Sequence, residues 1–300
     1  MIKRDDTSRI RARADVSRSN AHGVGAASLP AFTLIEVLVV VAIIALLIGL
    51  LVPSLSAARE KTRLIVCQSN QRNVAMAWHA YLKDHQDRLP RGYLQGTTFG
   101  GKQGIPEEYK GPRILNRYVG IPPVTDNSST AQVFSCPGDR GGWIPAYPER
   151  VHSSHFDFYG TSYRSNRFVI GPVPPETSWY DPCQALIRTL RTRFDQLSLN
   201  VSTFSNESRL ILFGDYGFTD WQNPDNSFDP VEFHARSYRR SSEIPYDPMY
   251  ASRQNVAFVD GHVSFVEIRK GIHVCAAYTV IPFRDMQQAF AEDQKQGHFP

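Results

Sequence analysis

Side chains with oxygen ligands crowd one loop in the second half of the chain. Its polar members are Asp215, Asp220, Asp225 and Asp229, with Asn223 and Asn226 among them. Ca²⁺ prefers carboxylate and carbonyl oxygens, which makes this loop a candidate calcium site. The spacing does not match an EF-hand loop, however, and Asp and Asn are common in turns for conformational reasons. We therefore expect no cofactor, and calcium at the four aspartates is the alternative.

Four cysteines form the second group of reactive side chains: Cys67, Cys136, Cys183 and Cys275. No Cys-x-x-Cys pair occurs, so the spacing predicts neither a zinc site nor a redox motif. In an oxidising compartment the four residues could form one or two disulfides, with three possible connectivities. Free buried thiols are the alternative.

A third pattern would suit hydrolysis. Two-metal hydrolases assemble Asp, His and Asn ligands, and Asp260-Gly261-His262 together with Gly214-Asp215 offers such residues. The Asp-x-His and Asn-His pairs expected early in such a chain are missing, and no Gly-x-Ser-x-Gly nucleophile motif occurs. An Asp-Gly pair also has a structural explanation as a turn. We therefore expect no enzyme, with an extracytoplasmic hydrolase as an alternative.

An apolar stretch at residues 31–52 precedes all of these groups. Thr33 and Glu36 are its only members that are neither apolar nor glycine. As a helix, its 22 residues span roughly 33 Å, enough to cross a hydrocarbon core of about 30 Å. An acidic residue at the centre of such a span costs roughly 2.5–3.5 kcal/mol on insertion scales. Glu36 lies near the end, so it is either a tolerated terminal charge or a group that meets a partner in the membrane.

The leader before this stretch is basic. The first 31 residues contain six Lys or Arg and three Asp, and thus hold +3 of the formal net charge of +4. A basic leader predicts a cytoplasmic N-terminus, a single pass through the cytoplasmic membrane and an extracytoplasmic body. The body is near neutral, which argues against a nucleic-acid partner. A secretory signal peptide cut near residues 56–58 is the alternative, although its apolar region is usually only 7–15 residues long.

The helical pattern continues beyond the apolar stretch. Val74, Ala77, Trp78 and Tyr81 recur at i, i+3, i+4 and i+7, which predicts an amphipathic helix packed on a sheet. Pro53 lies inside this pattern and predicts a kink, whereas Pro90 ends it. The sequence therefore predicts one helix of about 50 residues.

Several short apolar runs predict strands, at residues 132–135, 161–170, 209–213 and 255–266. In the last of them Asp260-Gly261 separates two apolar runs, which is typical of a two-residue type I′ turn. That turn would pair Phe258 with Val263 and place Val256 opposite Phe265. The prediction is an α+β fold in which a long N-terminal helix packs on a mainly antiparallel sheet with long loops.

The segment Phe32-Thr33-Leu34-Ile35-Glu36, behind a basic leader, resembles the processing signal of type IV prepilins and type II secretion pseudopilins. The resemblance implies a pilin-like fold, cleavage between Ala31 and Phe32 by prepilin peptidase, and methylation of the new N-terminus. It also implies that Glu36 pairs with the N-terminal amine of a neighbouring subunit during assembly. Pro53 stands where these helices carry a proline, whereas Ala31 replaces the usual glycine.

The body is similar to a large group of bacterial pseudopilin-like proteins that have a C-terminal signature of His, nine residues and Asp-Gly. The similar motifs are Cys67-x-x-Asn70, Phe134-Ser135-Cys136-Pro137, Ser162-Tyr163-x-x-Asn166, Leu212-Phe213-Gly214-Asp215 and Asn255-x-Ala257-Phe258-x-Asp260-Gly261-His262-Val263. Tyr250 occupies the position of the signature histidine. His234 is either its displaced equivalent, behind an insertion, or the role is absent.

These observations predict four segments. Residues 1–31 are a leader, residues 32–53 a transmembrane and assembly helix, residues 54–90 its amphipathic continuation, and residues 91–300 an extracytoplasmic globular head. The predicted function is that of a non-enzymatic pseudopilin-like subunit in a type II secretion or type IV pilus-like system. Its partners would be prepilin peptidase, the membrane, and other copies or other pseudopilins. A signal-anchored glycan-binding module is the alternative, with aromatic residues of 91–160 and 216–250 as stacking platforms.

Overall fold

The computed structural model describes residues 33–90, 96–141, 154–166, 168–170, 189, 192–193, 199–218, 233–234, 251–269 and 274–295. Several predicted sites lie outside the described residues: Ala31, Phe32, Cys183, Asp220, Asp225 and Asp229. The chain divides into two compact units, with the boundary between Val52 and Pro53.

Helix α1, Leu34–Asp84, is one continuous helix of 51 residues and confirms the predicted length. Its apolar half contains large side chains that are 48–80% exposed between Leu34 and Val52. By length and composition, α1 is the one described helix that could span a membrane. Pro53 lies inside α1 and does not end it.

The second half of α1 carries the predicted buried stripe. Val74, Ala77, Trp78 and Tyr81 are all buried, and the stripe extends to Cys67 and Gln71 at the same helical period. Trp78 contacts Phe99, whose ring in turn packs against Phe213 of the sheet, with ring centroids 5.8 and 5.9 Å apart. The helix thus packs through this stripe onto the core of the second unit.

Among the described residues, four strands form one antiparallel sheet in the order β1-β2-β3-β4. They are β1 Tyr163–Ser165, β2 Ile211–Asp215, β3 Ala251–Phe258 and β4 Val263–Arg269. The structure confirms an α+β composition with an antiparallel sheet. The strand predicted at 161–170 is shorter than expected, because the Asn166 side chain donates to Ile211 O and Val280 O while accepting from Phe168 N.

The β3–β4 hairpin turns where predicted, but its predicted register is wrong. Ala257 pairs with Val263 and Asn255 with Phe265, one residue away from the type I′ arrangement. The loop has three residues, since Phe258 N–H donates to His262 O and Gly261 N–H donates to Phe258 O, each at 2.9 Å. Gly261 has a φ of +91°, as expected for the left-handed position of a G1 bulge. Val256 and Phe265 therefore lie on opposite faces of the sheet.

The strand predicted at residues 132–135 is also wrong, because this segment is a 3-10 helix, Gln132–Phe134. Asn70 of α1 donates from its side-chain amide to Ser135 O at 2.8 Å, and Phe134 N–H donates to Ala131 O. These bonds satisfy the backbone locally, and the Phe134 ring is buried against Gly100. The apolar run therefore anchors a loop instead of joining the sheet.

Two further helices complete the described fold. Helix α2, His155–Tyr159, is a single turn capped by Ser154, whose hydroxyl accepts from Asp157 N. Helix α3, Arg284–Lys295, was not predicted, although Phe283, Met286 and Phe290 form a buried stripe at helical spacing. The spacing of these three apolar residues could have predicted the helix from the sequence.

Candidate functional site

The start of α1 is a capping box built from Thr33 and Glu36. Glu36 N–H donates to Thr33 Oγ1 at 3.3 Å, and Thr33 N–H donates to Glu36 Oε2 at 2.8 Å. The Thr33 hydroxyl also donates to Glu36 Oε2 at 2.8 Å. A Thr at the N-cap and a Glu three residues later satisfy each other's backbone donors in this way. Glu36 therefore has a local structural role that the apolar composition did not suggest.

All three of these bonds leave Glu36 Oε1 without a hydrogen-bond partner among the described residues. The oxygen lies on the first turn of a helix whose next residues are exposed and apolar. A carboxylate in such surroundings can accept from a cationic donor of another chain. The helix start thus offers one charged acceptor at the edge of an apolar surface.

A second candidate site lies in the second unit, where four polar side chains converge below the surface. They come from four separate parts of the fold, namely α1, the turn after the 3-10 helix at 132–134, the end of β2, and the described pair 233–234. The residues are Cys67, Cys136, Asp215 and His234, and their ligand-type atoms all lie within 4.8 Å of one another. No short sequence motif links them.

The distances inside this cluster are short. Cys67 Sγ–H donates to Asp215 Oδ1 at 3.3 Å, and Cys136 Sγ lies 3.3 Å from His234 Nε2. His234 Nε2 lies 3.8 Å from Asp215 Oδ2, which closes the cluster. The side chains of Asp215 and His234 are about 1% and 2% exposed, so all of these contacts exclude solvent.

Neighbouring polar groups hold the Asp215 carboxylate in place. Gln71 Nε2 donates to Oδ1 at 2.9 Å, and Asn255 N–H donates to Oδ2 at 3.0 Å. Gln71 also donates to Asn255 O at 3.2 Å, so one α1 side chain joins β2 and β3. These two orienting residues were not predicted from the sequence.

The turn that carries Cys136 is held by a buried carboxylate. Asp139 accepts from the backbone N–H groups of His155 and Phe156 at 2.9 Å and from the Ser162 hydroxyl at 2.7 Å. Ser162 Oγ in turn accepts from Cys136 N–H at 3.0 Å. Asp139 thereby fixes the position of Cys136 relative to α2 and the start of β1.

Burial favours the uncharged forms of the groups in this cluster. It raises the pKa of the Asp215 carboxyl to about 7, although the bonds from Asn255, Cys67 and Gln71 lower it. Burial also raises the pKa of the Cys67 and Cys136 thiols and lowers the pKa of His234 to about 4. Two thiols, a carboxyl and a neutral imidazole are therefore the groups available for binding.

Of the four aspartates considered for calcium, the structure describes only Asp215, which was also considered for hydrolysis together with Asp260 and His262. Asp215 is a buried strand residue, and its described neighbours include two thiols, which are poor ligands for Ca²⁺. Asp260 and His262 pair with each other at the partly exposed hairpin tip, with 2.6 Å between Oδ1 and Nδ1. Among the described contacts, none joins Asp215 to the tip.

The cysteines in the described residues are free thiols: Cys67, Cys136 and Cys275. Cys67 and Cys136 share the cluster, whereas the Cys275 thiol donates to Tyr278 O at 3.5 Å. His234, considered from the sequence as a displaced signature histidine, lies beside Cys136. The structure therefore assigns His234 a definite set of neighbours.

Most of the described aromatic rings considered as glycan platforms pack inside the protein. Tyr159 and Tyr216 are buried, stack with centroids 4.9 Å apart and share a hydrogen bond of 2.8 Å between their hydroxyls. Trp143 and Tyr147 lie outside the described residues. Tyr109 and Tyr118 are partly buried, and the other described aromatic residues of 96–141, 154–160 and 216–218 are buried.

Comparisons of the chain with protein-family models, curated proteins and solved structures give no match.

Proposed function

We propose that this chain is a non-enzymatic pseudopilin-like subunit, anchored in the cytoplasmic membrane by the first half of α1. The observation that carries the proposal is the position of Glu36, which lies on the first turn of an exposed apolar helix. The Thr33 capping box orients its carboxylate and leaves one oxygen for another chain. An acidic residue inside an apolar span is expensive in lipid, so a cationic partner there would stabilise it.

Assembly follows from this arrangement. Cleavage between Ala31 and Phe32 would create a new α-amino group close to the start of α1. That ammonium is the partner expected for the Glu36 carboxylate of an adjacent subunit, while the apolar halves of the two helices pack in the membrane. The basic leader keeps the N-terminal end of α1 on the cytoplasmic side of the membrane. Residues 91–300 then form an extracytoplasmic head. The subunit would belong to a type II secretion or type IV pilus-like system.

The mature N-terminus tests the processing step. The full chain is expressed in cells with and without a prepilin peptidase, and the mature protein is identified by mass spectrometry. We expect a methylated N-terminus at Phe32 only in cells with the peptidase. An Ala31→Gly variant, which restores the usual residue, should be cut at the same bond. A mature start near Arg59 would instead show a cleaved secretory signal and would overturn the anchor.

A substitution at Glu36 tests the assembly step. We expect Glu36→Ala to insert into the membrane as the wild type does, because the apolar stretch becomes less costly to insert. We also expect it to lose cross-linking between neighbouring subunits. Filaments or cross-links at the wild-type level in Glu36→Ala would contradict the proposed role.

A further inference from the structure

We infer that four buried side chains bind one structural Zn²⁺: Cys67, Cys136, Asp215 and His234. The donor set is two sulfurs, one imidazole nitrogen and one carboxylate oxygen. Zn²⁺ takes these ligand types in four-coordinate tetrahedral sites, and its structural sites are closed by four protein ligands. Hard cations such as Mg²⁺ and Ca²⁺ prefer all-oxygen sites, so the two sulfurs select against them.

Three of the observed separations fall in the range of the edges of such a tetrahedron. Zn–S bonds of about 2.3 Å and Zn–N or Zn–O bonds of about 2.0–2.1 Å give ligand-to-ligand edges of roughly 3.3–3.8 Å. Cys67 Sγ lies 3.3 Å from Asp215 Oδ1, and Cys136 Sγ lies 3.3 Å from His234 Nε2. His234 Nε2 lies 3.8 Å from the other carboxylate oxygen, Asp215 Oδ2. One ligand atom from each of the four residues lies within 4.8 Å of all the others, so shifts of about an ångström would close the site around one ion.

Gly138 permits the close approach that brings His234 to this point. A Cβ at position 138 would lie 2.5 Å from Phe233 O and 3.0 Å from His234 Cε1. Gly138 N–H donates to Cys136 Sγ at 3.3 Å, a bond that favours the thiolate form required for metal binding. The Cys136-Pro137-Gly138 turn therefore supplies both a ligand and the space for another.

The surrounding groups suit a charged centre. Two thiolates, one carboxylate and Zn²⁺ have a net charge of −1, and the donors around them are Gln71 Nε2, Asn255 N–H and Gly138 N–H. The carboxylate that binds the metal is itself hydrogen-bonded, which is typical of ligands that are held in place by their neighbours. Because the thiols and the carboxyl must lose protons, zinc binding should release protons and weaken as the pH falls.

Such an ion would give four parts of the fold one common centre. Cys67 lies in α1, Cys136 in the turn after the 3-10 helix, Asp215 at the end of β2, and His234 in the segment 233–234. Zinc would fix the second half of α1 to the sheet. The inference is independent of the proposed assembly role, since every ligand lies in the unit Pro53–Pro300.

A disulfide between Cys67 and Cys136 is the competing use of these residues. Their sulfur atoms lie within 4.8 Å of each other, and an oxidising compartment would favour the bond. Oxidation would remove both thiolates and so exclude the zinc site. Metal content and thiol content must therefore be measured on the same sample.

The full chain, purified in detergent with a histidine-free tag, tests the inference. After growth in zinc-supplemented medium we expect one zinc per chain by elemental analysis. We also expect Cys67 and Cys136 to be reduced and protected from alkylation until a chelator is added. Replacement of zinc by Co²⁺ should give the visible absorption of a tetrahedral cobalt thiolate. A zinc-free protein with a Cys67–Cys136 disulfide would overturn the site.

Matched variants identify the ligands. Cys136→Ser and His234→Gln should lose the bound zinc and the cobalt spectrum, whereas Cys275→Ser and His262→Gln should retain both. Gln71→Leu removes a group that orients Asp215, so the affinity for zinc should fall about 10–100-fold. If the ligand variants fail to fold, Gln71→Leu still decides the matter, because an unchanged affinity for zinc in that variant would place the metal elsewhere.

Discussion

Glu36 shows how one residue can serve the local helix and a partner at the same time. Its Oε2 atom completes the capping box with Thr33, while its charge remains available at Oε1. The sequence identified Glu36 as unusual because of its cost in lipid, but the capping role required the atomic contacts. Both roles can be tested separately, because capping needs an acceptor and ion pairing needs a charge.

Two substitutions separate these roles. Glu36→Gln keeps a side-chain acceptor that can complete a capping box but removes the negative charge. Thr33→Ala keeps the charge but removes the cap, which costs about 0.5–2 kcal/mol of helix stability. We expect Glu36→Gln to abolish cross-linking between subunits and Thr33→Ala to reduce it only slightly. Equal losses in the two variants would mean that capping, not charge, is what assembly requires.

The buried carboxyl group of Asp139 makes the stability of the fold depend on pH. Burial alone would raise the pKa of this carboxyl, but hydrogen bonds from His155 and Ser162 and the His155 charge lower it below the ordinary value of 3.8. Because the folded pKa is the lower one, its stabilisation is present above pH 3.8 and is lost as the pH falls through the folded pKa.

The prediction is a loss of stability in acid that depends on Asp139. Asp139→Asn should lower the free energy of unfolding at pH 7 by about 1.5–3 kcal/mol, since charge-assisted hydrogen bonds are lost. The variant should also lose less stability than the wild type between pH 4 and pH 2, because it has no proton to bind there. Chemical denaturation of both proteins in detergent at several pH values measures this. Parallel pH profiles would contradict the assignment.

At the scale of elements, the sequence predicted the helices and strands that follow from a local pattern of apolar residues. The buried stripe on α1 repeats at helical spacing. The strand predicted at 209–213 is observed two residues later, at Ile211–Asp215. The hairpin register was wrong because an Asp-Gly pair fits both a type I′ turn and a type I turn followed by a bulge. The extended run at 132–135 became a 3-10 helix because Asn70, far away in sequence, bonds its carbonyls.

The bulge predicts a specific cost at Gly261. Its φ of +91° disfavours any side chain, and a Cβ there would lie 2.7 Å from His79 Nε2 of α1. We expect Gly261→Ala to lower the free energy of unfolding by about 1–2 kcal/mol from the backbone, with a further loss from the clash. Adding His79→Ala should restore only the part due to the clash.

Gly120→Ala is the matched control for that experiment. Gly120 also has a positive φ, +72°, but a Cβ there would meet nothing within 4 Å. It should therefore show the backbone cost alone, with no coupling to His79. Denaturation of the single and double variants gives the coupling energy as a double-mutant cycle. A coupling energy near zero would mean that the exposed His79 ring moves away from the new Cβ, and no loss of stability in Gly261→Ala would contradict the left-handed conformation of the bulge.

At the scale of the whole molecule, the cluster was beyond prediction. Cys67, Cys136, Asp215 and His234 were each noted separately, but no spacing rule connects them, and the absence of Cys-x-x-Cys argued against zinc. Their convergence depends on α1 packing against β2 and on the turn held by Asp139. The packing of the whole core brings these four residues together, and that packing leaves no local pattern in the sequence.

The division of the chain predicts that the second unit folds without the first. The unit boundary lies between Val52 and Pro53, and every buried core residue among those described lies between Cys67 and Phe290. Removing residues 1–52 therefore deletes exposed apolar surface and no described core contact. Pro53 would become the first residue of the shortened helix, a position that proline tolerates well.

We expect a chain that begins at Pro53 to be soluble without detergent, because the large exposed apolar surface of α1 is gone. It should be monomeric by size-exclusion chromatography with light scattering, and should show the near-ultraviolet circular dichroism of a packed aromatic core. A second truncation that begins at Val74 removes Cys67 and Gln71 and should not fold, since α1 loses its polar connection to β2 and β3. Aggregation of the first truncation would contradict the independent folding of the second unit.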